Sequence, residues 1–146
     1  MIEKARTMAP SANLTVIDAA SVEKLGKKFD KILLWGVLHY LDRWDYVTTA
    51  LDNIFGALRP GGKILLGWVP DAARKDDYVA WRNSLPAVDQ SLRTPRKAGL
   101  EWLWFERDYF RELWNSDPLK IEILEHRPIP TELKRFFFSV LVSAGA

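Results

Sequence analysis

Two apolar segments with one amphipathic helix between them constrain the fold of this chain more than any other feature. The segment Phe29–Trp35 (FDKILLW) is apolar on both faces after Lys31, and Lys63–Val69 (KILLGWV) is a second apolar strand. Between them, Asp45–Leu58 carries one apolar stripe at helical spacing: Val47, Ala50, Leu51, Ile54, Phe55 and Leu58. A strand that is apolar on both faces is typical of a parallel sheet buried between helices.

The rest of the chain continues this alternation of helices and strands. We predict, in chain order, a helix at Met1–Arg6, a strand at Asn13–Ile17, a helical turn at Ser21–Leu25 with Ser21 as its cap, a short helix within Asp76–Leu85, a helix at Glu106–Asn115, and strands at Ile121–Arg127 and Phe137–Ser143. Pro60, in the RPGG sequence, is predicted to end the central helix. The last two strands are separated by a short segment and should pair antiparallel. The alternation predicts an α/β fold with helices on both faces of the sheet.

Length and composition limit the classes of protein that this chain can represent. Its 146 residues suggest a single domain over 1–146, with a less regular, aromatic-rich insert at about 70–101. The net charge of +2 is too small to indicate nucleic-acid binding, and no apolar run approaches the length of a membrane helix. The absence of Cys and the presence of only two His make a zinc site improbable. A cytoplasmic location is the default expectation.

Three motifs in a fixed order make the chain recognisable. They are Phe29-Asp30 at the start of a strand, WGVLH at 35–39 at the end of that strand, and LRPGG at 58–62 before the next strand. In this order and spacing they resemble the second half of a class I S-adenosylmethionine-dependent methyltransferase. The stretches from Trp104 to Pro130 and from Phe136 to Ala144 also resemble the last helix and the last two strands of that family.

The resemblance implies a Rossmann-like three-layer sandwich with a mostly parallel sheet and an antiparallel C-terminal strand. It aligns MIEKAR with the helix after the family's second strand and NLTVIDA with the third strand, and the sequence contains no Gly-x-Gly. We therefore expect an N-terminally truncated domain without the glycine-rich, cofactor-binding segment. Exposed strand edges would then invite pairing with a second copy or with a partner chain.

The cofactor implied by the resemblance is S-adenosylmethionine, and the motifs indicate its candidate ligands. Asp18 and Ala19 would bind the adenine, the carboxylate accepting from the exocyclic amine and the N–H donating to a ring nitrogen. Trp35 and Gly36 would lie beside the methionine portion, since ligands of open α/β sheets bind at the carboxyl ends of the strands. The alternative for Asp18 is a residue that caps the next turn.

His39 is the candidate catalytic base, because a neutral imidazole can take a proton from a hydroxyl or amine nucleophile. Its alternative role is that of a helix-start residue packed on the sheet. Tyr40, Trp68 and Trp81 are candidate substrate-binding residues, because aromatic walls suit a planar or apolar acceptor. Core packing is the alternative for these aromatic residues.

We expect methyl transfer to a small-molecule acceptor, without a nucleic-acid or membrane partner. Two other readings stay open at this point. In one, the chain is a catalytically inactive, methyltransferase-like module for interaction or dimerisation. In the other, it is one subunit of a split methyltransferase.

Overall fold

The structure, a computed structural model, describes residues 2–41, 43–86, 102–115, 119–125 and 132–145. Its helices are α1 (Ile2–Met8), α2 (Trp44–Gly56), α3 (Lys75–Ser84) and α4 (Tyr109–Leu113), and its strands are β1 (Phe29–Trp35), β2 (Leu58–Pro70), β3 (Lys120–Glu125) and β4 (Phe137–Ser143). Short 3-10 helices lie at Ala19–Leu25, Leu38–Tyr40, Ala72–Arg74 and Glu132–Phe136. Residues 87–101 of the predicted insert and 126–127 of a predicted strand lie outside the described residues.

The strands form one sheet in the order β1-β2-β4-β3. β1 and β2 pair in parallel, and β4 pairs antiparallel with both β2 and β3. Three strands therefore run in one direction and the C-terminal strand β4 runs against them. The predicted antiparallel pairing of the last two strands is confirmed.

The main core lies between one face of this sheet and the helices α2 and α4. The predicted apolar stripe of α2 is confirmed in the residues that it buries, which are Val47, Ala50, Leu51 and Ile54. They pack against alternate residues of the central strands, such as Ile64 and Leu66 of β2 and Val140 of β4. This packing holds the parallel strands β1 and β2 in place, so that their carboxyl ends lie side by side.

The prediction that β1 is buried on both faces is wrong. Ile32 and Leu34 pack against the core, whereas Leu33 is 64% exposed and Trp35 is 50% exposed. The alternation arises because one face of β1 packs against the main core cluster, to which α2 contributes Val47, Leu51 and Ile54. A continuous apolar run cannot by itself distinguish a strand buried on both faces from an apolar strand with one open face.

Residues Asn13–Ile17 form no strand, contrary to the prediction. Val16 is 80% exposed, and no backbone hydrogen bond of the described structure joins this segment to a strand. Local β propensity does not supply a pairing partner, and the partner decides whether an extended segment becomes a strand.

Three smaller predictions about element ends are also wrong. Asp18, and not Ser21, caps the turn at Ala19–Leu25, because its side chain accepts from the N–H of Ala20. α2 ends at Gly56, before Pro60, and the next strand already begins at Leu58. The predicted helix Glu106–Asn115 is confined to α4, since the preceding residues form a turn and a bridge from Phe105 to Asp71.

Candidate functional site

The carboxyl end of β1 opens onto a small space above Gly36. Gly36 has φ +64°, a left-handed conformation that favours glycine. A carbon placed at its Cβ position would lie 3.9 Å from Cε1 of His39 and 3.9 Å from Cδ1 of Trp68. The absence of a side chain at Gly36 thus leaves an open volume beside its backbone, bordered by the rings of His39 and Trp68. We call this space the Gly36 niche.

His39 lies in the 3-10 turn Leu38–Tyr40 that follows the niche, and it is 3% exposed. Burial lowers its pKa to about 4. Its Nδ1 has no hydrogen-bond partner in the described structure. At neutral pH the imidazole is therefore uncharged, and it can accept or donate one further hydrogen bond through Nδ1.

Two tryptophan rings lie beside the niche. Trp68 has φ +61° at a register shift between Leu66 and Val69, and its ring stacks on Phe137 at 4.7 Å. The Trp35 ring lies 6.3 Å from the Trp68 ring and directly over the backbone of Gly67, where a Cβ would overlap with it. A non-glycine residue in the left-handed region is uncommon and costs strain. The strained backbone of Trp68 turns its indole toward the strand end.

Asp18 lies beside the first turn of α2. Its Oδ1 accepts from the Tyr46 hydroxyl at 2.6 Å and from the Ala20 N–H at 2.8 Å. These two bonds, the one from Tyr46 first, hold the pKa of the Asp18 carboxyl below its usual value. The capping interpretation of Asp18 is observed. Adenine binding by Asp18 and Ala19 stays a prediction.

The structure brings some of the predicted residues together and leaves others apart. Tyr40 contacts His39 with ring centroids 4.2 Å apart, so it joins the group around the niche. Trp81 lies in a second aromatic cluster with Tyr78 and Phe136. Trp81 donates from Nε1 to Glu132 at 2.6 Å, so the structure gives this predicted substrate-binding residue a packing and hydrogen-bonding role.

Tyr46 was not singled out from the sequence, and Trp102 was considered only as one of the aromatic residues around the insert, with core packing as the alternative to acceptor binding. Tyr46 holds Asp18, and Trp102 packs against His39 with ring centroids 4.8 Å apart. The position of Tyr46 in the sequence of α2 gives no indication that its hydroxyl contacts Asp18. Trp102 lies 63 positions beyond His39, and only the tertiary fold reveals that contact.

A surface cavity of about 650 Å³ lies beside Trp81. Its polar lining includes Arg74, Asp77, Ser84 and Arg135, and Arg74 forms an exposed ion pair with Asp77. None of Gly36, His39 and Trp68 lines this cavity, so it is separate from the niche.

Two further classes of site were sought within the described ranges. Those ranges contain no group of three or more His, Cys, Asp or Glu side chains arranged to hold a metal ion. The helices in them are all too short or too polar to cross a bilayer.

Known proteins resemble this chain in sequence over its first part and in fold over its length. The family described as "methyltransferase domain" matches residues 1–66. No curated protein sequence matches the chain.

Solved structures of methyltransferases share the fold. The N-methyltransferase NodS from Bradyrhizobium japonicum, solved with S-adenosyl-L-homocysteine, has a TM-score of 0.63 at 16% identity over 99% of this chain and 62% of its own. An S-adenosylmethionine-dependent methyltransferase from Clostridium acetobutylicum has a TM-score of 0.64 at 12% identity, over 99% of this chain and 71% of its own. An O-methyltransferase family protein from Burkholderia thailandensis has a TM-score of 0.58 at 18% identity, over 99% of this chain and 41% of its own.

The chain thus spans less than two thirds of the length of the first of these structures. At sequence identities this low, the similarity establishes the fold and no more. The strand order with its antiparallel β4, the match at residues 1–66 and the structural neighbours nevertheless agree with one another. The predicted resemblance is confirmed: this chain has the Rossmann-like α/β fold of class I S-adenosylmethionine-dependent methyltransferases, and its first 66 residues match their methyltransferase domain.

Proposed function

We propose that this chain takes part in methyl transfer from S-adenosylmethionine to a small-molecule acceptor. The observation that carries the proposal is the Gly36 niche, which lies at the carboxyl end of a parallel strand pair between His39 and Trp68. Ligands of open α/β sheets bind at this position. S-Adenosylmethionine is the cofactor expected for the family that matches residues 1–66.

The residues present fit a sulfonium cofactor. The left-handed Gly36 leaves a space that a Cβ would fill, and the indole of Trp68 lies against it. Aromatic faces attract cations, and a neutral His39 adds no positive charge that would repel a sulfonium. Gly36 and Trp35 would lie along the methionine portion, and Asp18 with Ala19 would meet the adenine.

The cofactor supplies an activated methyl group, and the chain's residues position the reactants around it. An in-line methyl transfer depends mainly on holding the nucleophile and the methyl group close and aligned. Trp68 and Tyr40 would limit where the acceptor lies. His39 would hold the acceptor's proton at one ring nitrogen and receive it as the new bond forms.

Calorimetry with the full chain tests this proposal. We expect S-adenosylmethionine and S-adenosyl-L-homocysteine to bind, and Gly36→Val to weaken both, because its side chain would fill the niche. Gly26→Val is the matched control, since Gly26 also has positive φ but has nothing within 4 Å of its Cβ position. A chain that binds neither ligand, or Gly36→Val binding as well as Gly26→Val, would contradict the proposal.

One observation favours a second candidate function, which is self-association through β1. β1 lies at the edge of the described sheet, and it exposes Leu33. The opposite edge strand, β3, carries Lys120, Glu122 and Glu125. Charges of this kind protect an edge strand from pairing with another chain, and the centre of β1 lacks them.

A symmetric antiparallel pairing of two β1 strands about Leu33 is self-complementary. It places Lys31 of one copy opposite Trp35 of the other, and Ile32 opposite Leu34, with no like charges facing each other. We expect sedimentation equilibrium to show a dimer, Leu33→Lys to give a monomer, and Leu124→Lys on β3 to leave the dimer intact. A wild-type monomer at about 100 μM would remove this candidate.

A further inference from the structure

Two buried polar atoms without hydrogen-bond partners belong to rings that touch each other in the described part of the chain. They are Nδ1 of His39 and Nε1 of Trp102. The two rings meet edge to face, with centroids 4.8 Å apart and planes at 62°. Buried polar atoms are rarely left unpaired, because the unmade bond costs free energy. Two such atoms on adjoining rings point to a polar group that is bound between them.

The surroundings of these two atoms are aromatic. The ring of Tyr40 lies 4.2 Å from His39, that of Tyr78 lies 5.3 Å from Trp102, and that of Phe137 lies 6.1 Å from Trp102. We call these five residues the His39 cluster. The cluster contains no charged side chain, and the buried carboxylate of the described core, Asp71, is already paired with Arg107. A charged ligand group would lose its hydration here without gaining a counter-ion.

The hydrogen-bonding capacity of these two unpaired atoms limits which chemical group can bind to both of them. Nε1 of Trp102 can only donate, whereas Nδ1 of a neutral His39 can accept when the proton lies on Nε2. A hydroxyl oxygen satisfies both atoms, since it accepts one bond and donates another. An ammonium has no lone pair to accept from Trp102. A carboxylate could accept from both rings if the His39 proton lay on Nδ1, but it would be buried here without a counter-ion.

We propose that the methyl acceptor is a neutral aromatic hydroxyl compound, a phenol in chemical class, whose oxygen accepts from Trp102 and donates to Nδ1 of His39. The acceptor's ring would lie among the aromatic faces of the His39 cluster, entering past Tyr40, which is 55% exposed. The inference rests on the proposed methyl-transfer function. Cε1 of His39, the atom that borders the Gly36 niche, is bonded to Nδ1, so the acceptor oxygen and the transferred methyl would be neighbours.

The transfer balances with the groups named. A lone pair of the acceptor's hydroxyl oxygen forms the new O–C bond as the S–C bond of the sulfonium breaks, and that bond's electron pair stays on sulfur. The hydroxyl proton passes to Nδ1 of His39 and then to water. The products are a methyl ether, a neutral thioether and one proton.

Binding of four related probes tests the acceptor class without any cofactor present. They are para-cresol, its methyl ether, para-toluate and para-methylbenzylammonium, titrated by calorimetry into the full chain. We expect para-cresol to bind about tenfold more tightly than the anion and the cation, since a lost hydrogen bond or an unpaired buried charge weakens binding by about this factor. Tighter binding of either charged probe, or no binding of para-cresol, would overturn the proposal.

Single substitutions separate the two hydrogen bonds. Trp102→Phe should weaken both para-cresol and its ether about tenfold, whereas His39→Phe should weaken para-cresol alone, because the ether has no proton to donate. Trp114→Phe is the matched control. Nε1 of Trp114 is also buried without a hydrogen-bond partner, but the Trp114 ring packs on Phe55, outside the His39 cluster. Equal effects of Trp102→Phe and Trp114→Phe would contradict the inference.

Two outcomes keep this inference distinct from the proposed function. If para-cresol binds as expected but S-adenosylmethionine does not, the methyl-transfer proposal fails while the hydroxyl site stands. If a variant does not fold, as judged by circular dichroism, nitrogen-15 NMR of the wild-type chain replaces it. Saturating para-cresol should then shift the His39 Nδ1 resonance, and an unmoved resonance would overturn the inference.

Discussion

At the scale of single residues, the candidate site depends on atoms whose surroundings determine their chemistry. His39 matters because burial keeps its imidazole neutral beside the Gly36 niche. Asp18 matters because Tyr46 and Ala20 fix one of its carboxylate oxygens. The sequence indicated both residues through motif position, but the partners that define their state come from distant parts of the chain.

Burial of His39 predicts a pH dependence of stability. The folded pKa, about 4, lies below the ordinary value of 6.5, so the unfolded chain binds a proton first as pH falls. Stability is then complete above the unfolded pKa and is lost as pH falls toward about 4, by on the order of 3 kcal/mol. Urea unfolding at several pH values should show this loss in the wild type. His39→Phe should remove most of it, and an unchanged slope in that variant would contradict the assignment.

Gly67 predicts a packing effect that involves one neighbour. A Cβ at Gly67 would overlap with the ring of Trp35, so Gly67→Ala should lower the free energy of unfolding by about 1–3 kcal/mol. The overlap disappears in a Trp35→Ala background, and the same substitution should then cost little. A double-mutant cycle by chemical denaturation measures the difference. Equal costs in the two backgrounds would show that Trp35 does not lie on Gly67.

At the scale of elements, the best-predicted segments are those with strong local patterns. β1 and β4 have the predicted bounds, and α2 buries the predicted stripe. Asn13–Ile17 was predicted as a strand and forms none, because pairing depends on a partner that local sequence does not reveal. The contacts of Trp102 with His39 and of Tyr46 with Asp18 could not be predicted for the same reason, since their partners lie far away in the sequence.

One ion pair between elements is expected to be important for stability. Asp71, which is 2% exposed at the end of β2, accepts from Nε and Nη2 of Arg107 at 3.0 and 2.7 Å. Arg107 also pairs with Glu125 of β3. Arg107→Ala would leave a buried carboxylate unpaired, and we expect a loss of about 3 kcal/mol in thermal or chemical unfolding.

An exposed pair of the same chemistry provides the control for Arg107. Arg59 contacts both oxygens of Asp30 at 3.0 and 2.8 Å, but both side chains are more than half exposed. Arg59→Ala should cost about 0.5 kcal/mol or less. If the two arginine substitutions cost the same, burial of Asp71 does not have the effect assigned to it.

At the scale of the whole molecule, the fold brings Gly36, His39 and Trp68 together beyond the carboxyl end of β1. Gly36 follows β1, Trp68 lies near the end of β2, and Asp18 contacts Tyr46 in the first turn of α2. The order of three motifs was enough to predict this α/β class and its antiparallel last strand. It was not enough to predict which aromatic residues pack together, since Trp81 lies in a separate cluster from His39.

The most direct test of the central claim is NMR of the full chain with S-adenosylmethionine carrying a carbon-13 methyl group. The account predicts nuclear Overhauser contacts from that methyl to the Gly36 Hα, the His39 Hε1 and the Trp68 Hδ1 protons, the groups that border the niche. Contacts to other parts of the chain alone, or a methyl resonance unaffected by the protein, would contradict it.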